Sequence, residues 1–194
     1  MVKIQTRLMI ILTALFLVFT AVLGILFYTY SKDSIEQGVY AHLETTAHSR
    51  ADHIKSFLEE QKEKIETAAT HQELSIEELK TIADINDEFY ELFVLDSKGK
   101  IIASSDESKI GLDRSNKDYF ISAKEETYMG DIYFSETTGK NSFIVSTPHA
   151  SGILAARIDL LVLNEITEDK TGLGEAGEIY LINKQGYMIS PSRF

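Results

Sequence analysis

Several groups of residues in this sequence have the types that chemistry needs, and their spacing decides what they can do. His42, His48 and His53 fall within one stretch. A zinc site on a helix wants two rings on one face at i and i+4; spacings of six and five do not supply it, and His71 and His149 bring no carboxylate cluster. Gly172-x-Gly174-x-x-Gly177 has the string of a dinucleotide fingerprint. Its phosphate cradle needs a strand before and a helix after, whereas here a helix precedes and a strand follows, so the glycines read as a hinge between modules. Ser146, Ser151 and Ser190 lack a nucleophile-elbow context. The chain has no Cys, which removes thiolate ligands, disulfides and Cys nucleophiles. Glu59-Glu60 and Glu125-Glu126 read as solvated faces. No catalytic residue, metal ligand or cofactor is therefore expected, and no enzyme is expected in these residues.

The elements that must carry any other function begin with an anchor. The 194 residues hold 19 Lys plus Arg against 30 Asp plus Glu, a net charge of −11 that argues against nucleic acid. The two signs are not mixed evenly. Residues 1–30 contain Lys3 and Arg7 and no acid, while the remaining 164 carry 17 basic and 30 acidic side chains. From Leu8 to Tyr30 the chain runs 23 residues without a charge, enough at about 1.5 Å per residue to cross a hydrocarbon core of about 30 Å. Phe27, Tyr28 and Tyr30 gather at its far end, where amphipathic rings suit the headgroup region. A cleavable signal peptide has a shorter apolar stretch and a small-x-small site after it, so an uncleaved signal anchor is the reading preferred. Residues 1–7 are then a basic cytoplasmic tail, 8–30 a single transmembrane helix in the cell membrane, and everything after Ser31 extracytoplasmic.

Outside the anchor, Ile35, Val39, Leu43, Ala47, Ala51, Ile54, Leu58, Ile65 and Ala68 recur at helical steps and predict a long helix over 31–72, with Asp33 or Ser34 capping its start. Ser75-Ile76-Glu77-Glu78 reads as a capping box opening a second helix to about Ile85. Strand signals follow at Phe89–Leu95 and 101–103, across the turn Asp96-Ser97-Lys98-Gly99. Ser115 or Asn116 is expected to cap a short helix through Ala123. Three more strands are predicted near 128–134, 142–147 and 152–158, with turns at Thr138-Gly139 and Ser151-Gly152, before helical spacing returns from Asp159 to Thr167. The order predicts an α+β domain, helices flanking an antiparallel five-stranded sheet.

A partial repeat stands out. Residues 92–103 overlay residues 179–190 at a constant offset of 87, each an apolar strand, a polar turn ending in Gly, and an apolar strand. Two hairpins can look alike by chance. If the repeat is real, the chain's end opens a second domain of the same type, left incomplete, since two strands alone are marginal in water.

Asp113-Arg114-Ser115-Asn116-Lys117-Asp118-Tyr119-Phe120-Ile121-Ser122-Ala123, after a membrane helix and a long outer helix, resembles the double Cache (PAS-like) sensor domains of prokaryotic receptors. Gly130-Asp131-Ile132-Tyr133, Ser146-Thr147-Pro148 and Gly152-Ile153-Leu154 are similar to successive strands of that family's membrane-distal module, and residues 171–181 to the opening of its membrane-proximal one. The resemblance implies a membrane-distal module over 73–168 and, over 169–194, a hinge and the first hairpin of a second module in which the chain stops. It implies a sensory region of a histidine kinase, a chemoreceptor or a cyclic-dinucleotide enzyme, its output domain missing, and suggests a homodimer.

The resemblance also implies a ligand site. In relatives that bind amino acids, an Arg two positions before an aromatic pair holds the carboxylate and an Asp on the last strand holds the amine. The matching residues here are Lys117, Tyr119, Phe120 and Asp159, with Tyr133 adding a hydroxyl. Lys117 offers a point charge in place of a bidentate fork. The expected ligand is a small zwitterion or carboxylate. Ordinary roles compete at each position: core packing for Tyr119 and Phe120, a helix cap for Asp159, a solvated side chain for Lys117. The other functional class is an anchored structural or interaction protein that dimerises through its long helix.

Overall fold

The computed structural model describes residues 4–135, 140–160, 165–166, 168–173, 177–183 and 186–190, with backbone alone at 134, 135, 140 and 141. The chain divides into two compact units, Met1–Ala47 and His48–Phe194. Helix α1 runs from Ile4 to Ala68. In the first unit its apolar side chains, from Leu8 through Leu43, are exposed. It is the one helix among the described residues long and apolar enough to cross a membrane. Asp33 and Ser34 sit in mid-helix and cap nothing, which corrects the expected second start. No Pro interrupts the segment, and the backbone ladder carries through.

In the second unit, α1 buries Phe57, Gln61, Ile65 and Ala68, one residue in three or four, as a helix facing a sheet must. Helix α2 spans Ile76–Ile85 and starts with the predicted capping box: the Ser75 hydroxyl accepts from the Glu78 amide at 3.2 Å, and the Glu78 carboxylate accepts from the Ser75 amide at 2.8 Å. The strands are β1 (Phe89–Leu95), β2 (Ile101–Ser104), β3 (Tyr128–Met129), β4 (Tyr133–Ser135), β5 (Lys140–His149) and β6 (Gly152–Asp159). They form one antiparallel sheet in the order β2-β1-β6-β5-β3, with β4 also pairing β5. The strand expected at 128–134 is thus an edge in two pieces. Between them the Gly130 amide bonds the Ile144 carbonyl at 2.8 Å, and a Cβ on Gly130 would meet the Ile144 side chain at 2.8 Å. The turn expected at Thr138-Gly139 and most of the helix expected from Asp159 to Thr167 lie outside the described residues.

Both faces of the sheet are covered, which is why its central strands are apolar at successive positions. Leu92, Val94, Phe143, Val145, Leu154, Ala156 and Ile158 pack with Ile65 and Leu79 into one core. Phe93, Leu95, Ile144, Ile153 and Ala155 form a second with Phe120 and Ala123. Helix α3 (Asp118–Ile121) and the 3₁₀ turn Ser122–Lys124 cover this second face. α3 begins at the N-cap Lys117, which makes no side-chain cap bond. The cap expected from Ser115 or Asn116 fails because the Asp113 carboxylate takes the Ser115 amide, at 2.8 Å, into a turn of its own.

The repeat is reproduced bond by bond. In the first hairpin the Asp96 amide bonds the Lys100 carbonyl (2.9 Å), the Gly99 amide bonds the Asp96 carbonyl (3.0 Å), and the Asp96 carboxylate accepts from the Lys100 amide (2.9 Å). At an offset of 87, Asn183, Tyr187 and Gly186 make the same three bonds, at 2.9, 2.9 and 2.8 Å. Gly99 and Gly186 share φ values of 85° and 84°, where an L side chain is strained. The cross-strand pair Leu95 and Ile101 recurs as Ile182 and Met188.

Candidate functional site

Two charged residues sit inside strands that are otherwise apolar. Glu91 on β1 and Arg157 on β6 are direct cross-strand partners, and Arg157 Nη1 donates to Glu91 Oε2 at 2.7 Å. Alternation along β1 and β6 puts them on the α3 face with Phe93 and Ala155. The Phe93 ring supports the pair from below: the Arg157 guanidinium lies 5.4 Å from its centroid, and the Tyr119 ring meets it edge-on at 5.9 Å. Tyr119 is held over the sheet because the Ser146 hydroxyl donates to its carbonyl at 2.8 Å while Phe120 and Ala123 anchor α3 below.

The group is larger than its central pair. Tyr90 and Tyr133 join hydroxyls at 3.1 Å, and both act electrostatically on Arg157. Arg114 is brought close by the loop that runs beside β2, where its amide donates to the Gly99 carbonyl at 2.7 Å. Its charge acts on both Tyr119 and Glu91. Burial pushes the Glu91 carboxyl up from its ordinary range, against the pull of Arg157. Burial also raises the Tyr119 and Tyr133 hydroxyls. Burial alone would lower the Arg157 guanidinium, but Glu91 and the three tyrosines more than offset it and hold the cation.

These groups are incompletely satisfied. Glu91 Oε1, Arg157 Nε, Arg114 Nε, the Tyr119 hydroxyl and the Ser142 hydroxyl are buried and make no hydrogen bond. Arg157 is near enough to Tyr119 to favour its ionised form, yet the geometry is not that of a bond. Glu91 is 4% exposed and Ser142 0%. Buried polar atoms are nearly always paired, with protein groups or ordered water, so such a concentration on one face makes this the candidate site.

Of the residues singled out in the sequence, Tyr119 and Tyr133 belong to this group, Tyr133 at its margin with 37% exposure. Phe120, 4% exposed, is part of the core beneath, with the Lys124 ammonium 4.8 Å from its ring centroid. Asp159 ends β6 in register with Ser142, its amide donating to the Glu88 carbonyl at 2.8 Å. Lys117 is exposed at the N-cap of α3. Sequence reasoning missed Glu91, Arg157, Arg114 and Tyr90. The available signal was a single charge inside each of two apolar runs, FYELFVL and GILAARID.

The Cache domain family model matches residues 31–193. The chain belongs to the Cache domain family. Among solved structures, this Cache chain is similar to the sensor domain of the Vibrio cholerae histidine kinase DctB, with a TM-score of 0.60 and 16% identity over 69% of this chain and 61% of that one. It is similar to the ligand-binding domain of the Pseudomonas aeruginosa amino acid chemoreceptor PctC in complex with GABA, with a TM-score of 0.59 and 18% identity over 73% and 70%. It is also similar to that of the Pseudomonas fluorescens chemoreceptor CtaA in complex with L-isoleucine, with a TM-score of 0.61 and 16% identity over 83% and 71%. At these identities the likeness is one of fold, and the Cache chain spans 61% of the DctB sensor domain. Among curated proteins none matches it.

Proposed function

We propose that this chain is the extracytoplasmic small-ligand-sensing region of a transmembrane receptor of the histidine kinase or chemoreceptor kind, its output domain lying outside these residues. The observation that carries the reading is the buried, incompletely paired polar group under α3, in a fold otherwise packed on both sheet faces. Family membership and neighbours that are themselves sensor domains support it. The exposed apolar stretch of α1 between Leu8 and Tyr30 supports an anchor whose amino terminus is cytoplasmic, since Lys3 and Arg7 precede it.

Residues 73–168 act as the membrane-distal module and 169–194 as the hinge and first hairpin of a membrane-proximal one; the hydrogen bonds repeated at an offset of 87 support that division. The ligand lies against Tyr119 and Tyr133 over Phe120, with Lys117 and Asp159 as opposite charges at the rim. It is a small zwitterion or carboxylate. Binding shifts a balance between two conformations through unequal affinity, and α1 carries the shift. Two copies pair through α1, whose Ile35, Val39 and Leu43 are exposed at steps of four.

The test is calorimetric titration and thermal shift of the full chain in detergent micelles against a panel of amino acids, amines and carboxylates. A specific ligand at one hundred times its Kd should add about 2.7 kcal/mol of stability. Silence across the panel refutes the sensor reading. Lys117→Ala and Asp159→Ala should each weaken the ligand found at least tenfold, about 1.4 kcal/mol.

A further inference from the structure

The charges under α3 do not balance, and the imbalance is informative. Arg157 and Glu91 cancel as a pair at 2.7 Å. Lys109 and Asp106, also acting on Glu91, cancel each other as an ion pair at 3.8 Å. Arg114 remains, with no carboxylate at ion-pair distance among the described residues, its Nε buried and unbonded. Among these groups one positive charge, that of Arg114, is left without a neutralising partner. Its unpaired atoms are unlike in kind: the Nε–H groups of Arg114 and Arg157 donate, Glu91 Oε1 accepts, and the hydroxyls of Tyr119 and Ser142 can do either.

We propose that the ligand is a small 2-hydroxy monocarboxylate. Its carboxylate accepts from Arg114, Arg157 Nε and the Tyr119 hydroxyl, and its hydroxyl donates to Glu91 Oε1. This assignment rests on the sensor reading and narrows it. One negative charge neutralises Arg114; a zwitterion leaves the buried excess in place, and a dicarboxylate reverses it. An ammonium group on Glu91 Oε1 would also stand beside the Arg157 guanidinium already bonded to Oε2, a like-charge contact in a site that screens poorly. A hydroxyl satisfies the same oxygen without that repulsion.

The experiment titrates the full chain in detergent micelles with five probes: lactate, propionate, alanine, 4-aminobutyrate and succinate. Lactate is expected to bind at least tenfold more tightly than each of the others, propionate failing because it leaves Glu91 Oε1 unpaired. In Arg114→Gln the excess charge is gone, and the preference for lactate over alanine should fall at least tenfold. Arg114 is half-buried and outside the sheet, so this variant should keep the wild-type circular dichroism, whereas Arg157→Gln is open to loss of fold. Tighter binding of alanine, 4-aminobutyrate or succinate than of lactate overturns the assignment and leaves the sensor reading standing. An unchanged lactate-to-alanine ratio in Arg114→Gln also overturns it. Absence of heat with all five probes and with the wider panel overturns both.

Discussion

Glu91 and Arg157 face each other across β1 and β6, and their ion pair joins two neighbouring strands of the sheet at 2.7 Å. Burying such a pair brings little net stability, because desolvation of both ions offsets their attraction, but removing one partner strands the other. Glu91→Gln is therefore expected to cost about 3 kcal/mol of unfolding free energy. The double variant Glu91→Met, Arg157→Met should recover most of that loss while abolishing the response to ligand. A double variant as unstable as the single one in thermal melts would mean the pair is there for the fold.

Gln61 gives the opposite expectation. It is 0% exposed within the core between α1 and the sheet, and both atoms of its amide lack a partner. Gln61→Leu removes an unsatisfied polar group of similar volume and should stabilise the protein by about 1–3 kcal/mol. A lower melting temperature would show that the amide is satisfied in solution.

Gly152 turns β5 into β6 at φ 137°, and a Cβ there would lie 2.1 Å from the Leu95 carbonyl oxygen. Gly152→Ala combines a strained backbone with a clash against backbone that cannot yield, and should lose at least about 2 kcal/mol. The check is the denaturation midpoint, with the slope against denaturant unchanged.

The capping box of α2 makes a smaller claim. Ser75→Ala removes the hydroxyl that takes the Glu78 amide and should cost about 1 kcal/mol, with Ser75→Asp restoring most of it. Equal stabilities for wild type and Ser75→Ala would count against the cap.

Asp169 sets an acid limit. The Thr171 hydroxyl and amide, then Arg50 at 2.5 Å, hold its carboxyl at about 2 against an ordinary 3.8. A folded pKa below the unfolded one contributes stability that is fully present above about 4 and is lost as pH falls through about 2. Asp169→Asn should flatten melting temperature against pH in that window. Parallel curves for the two proteins would contradict the assignment.

Local chemistry was legible in the sequence where it is self-contained. Ser75 and Glu78 name their own bonds, and β1 and β6 announce themselves as branched and aromatic runs. Asp33 and Ser34 misled because a good cap residue ends a helix only where the backbone gives it reason, and the flanking residues favour continuation. Tyr119 and Tyr133 were singled out through the family resemblance, and they lie beside the buried pair. Glu91 and Arg157 were not, because what joins them is a register between strands some sixty residues apart, and nothing local encodes that pairing.

The strand order has a kinetic consequence. The first and last strands, β1 and β6, are neighbours at the centre, while β1–β2 and β5–β6 are each closed by a short turn. Two hairpins can therefore form early, but each alone is marginal in water. The sheet is sealed only when the loop between them closes, a non-local step that follows synthesis of Asp159. Until then the inner edges of β1 and β6 are open to any other strand. A nascent chain stalled before residue 159 should be held by chaperones and cut by proteases, and one released after it should resist both.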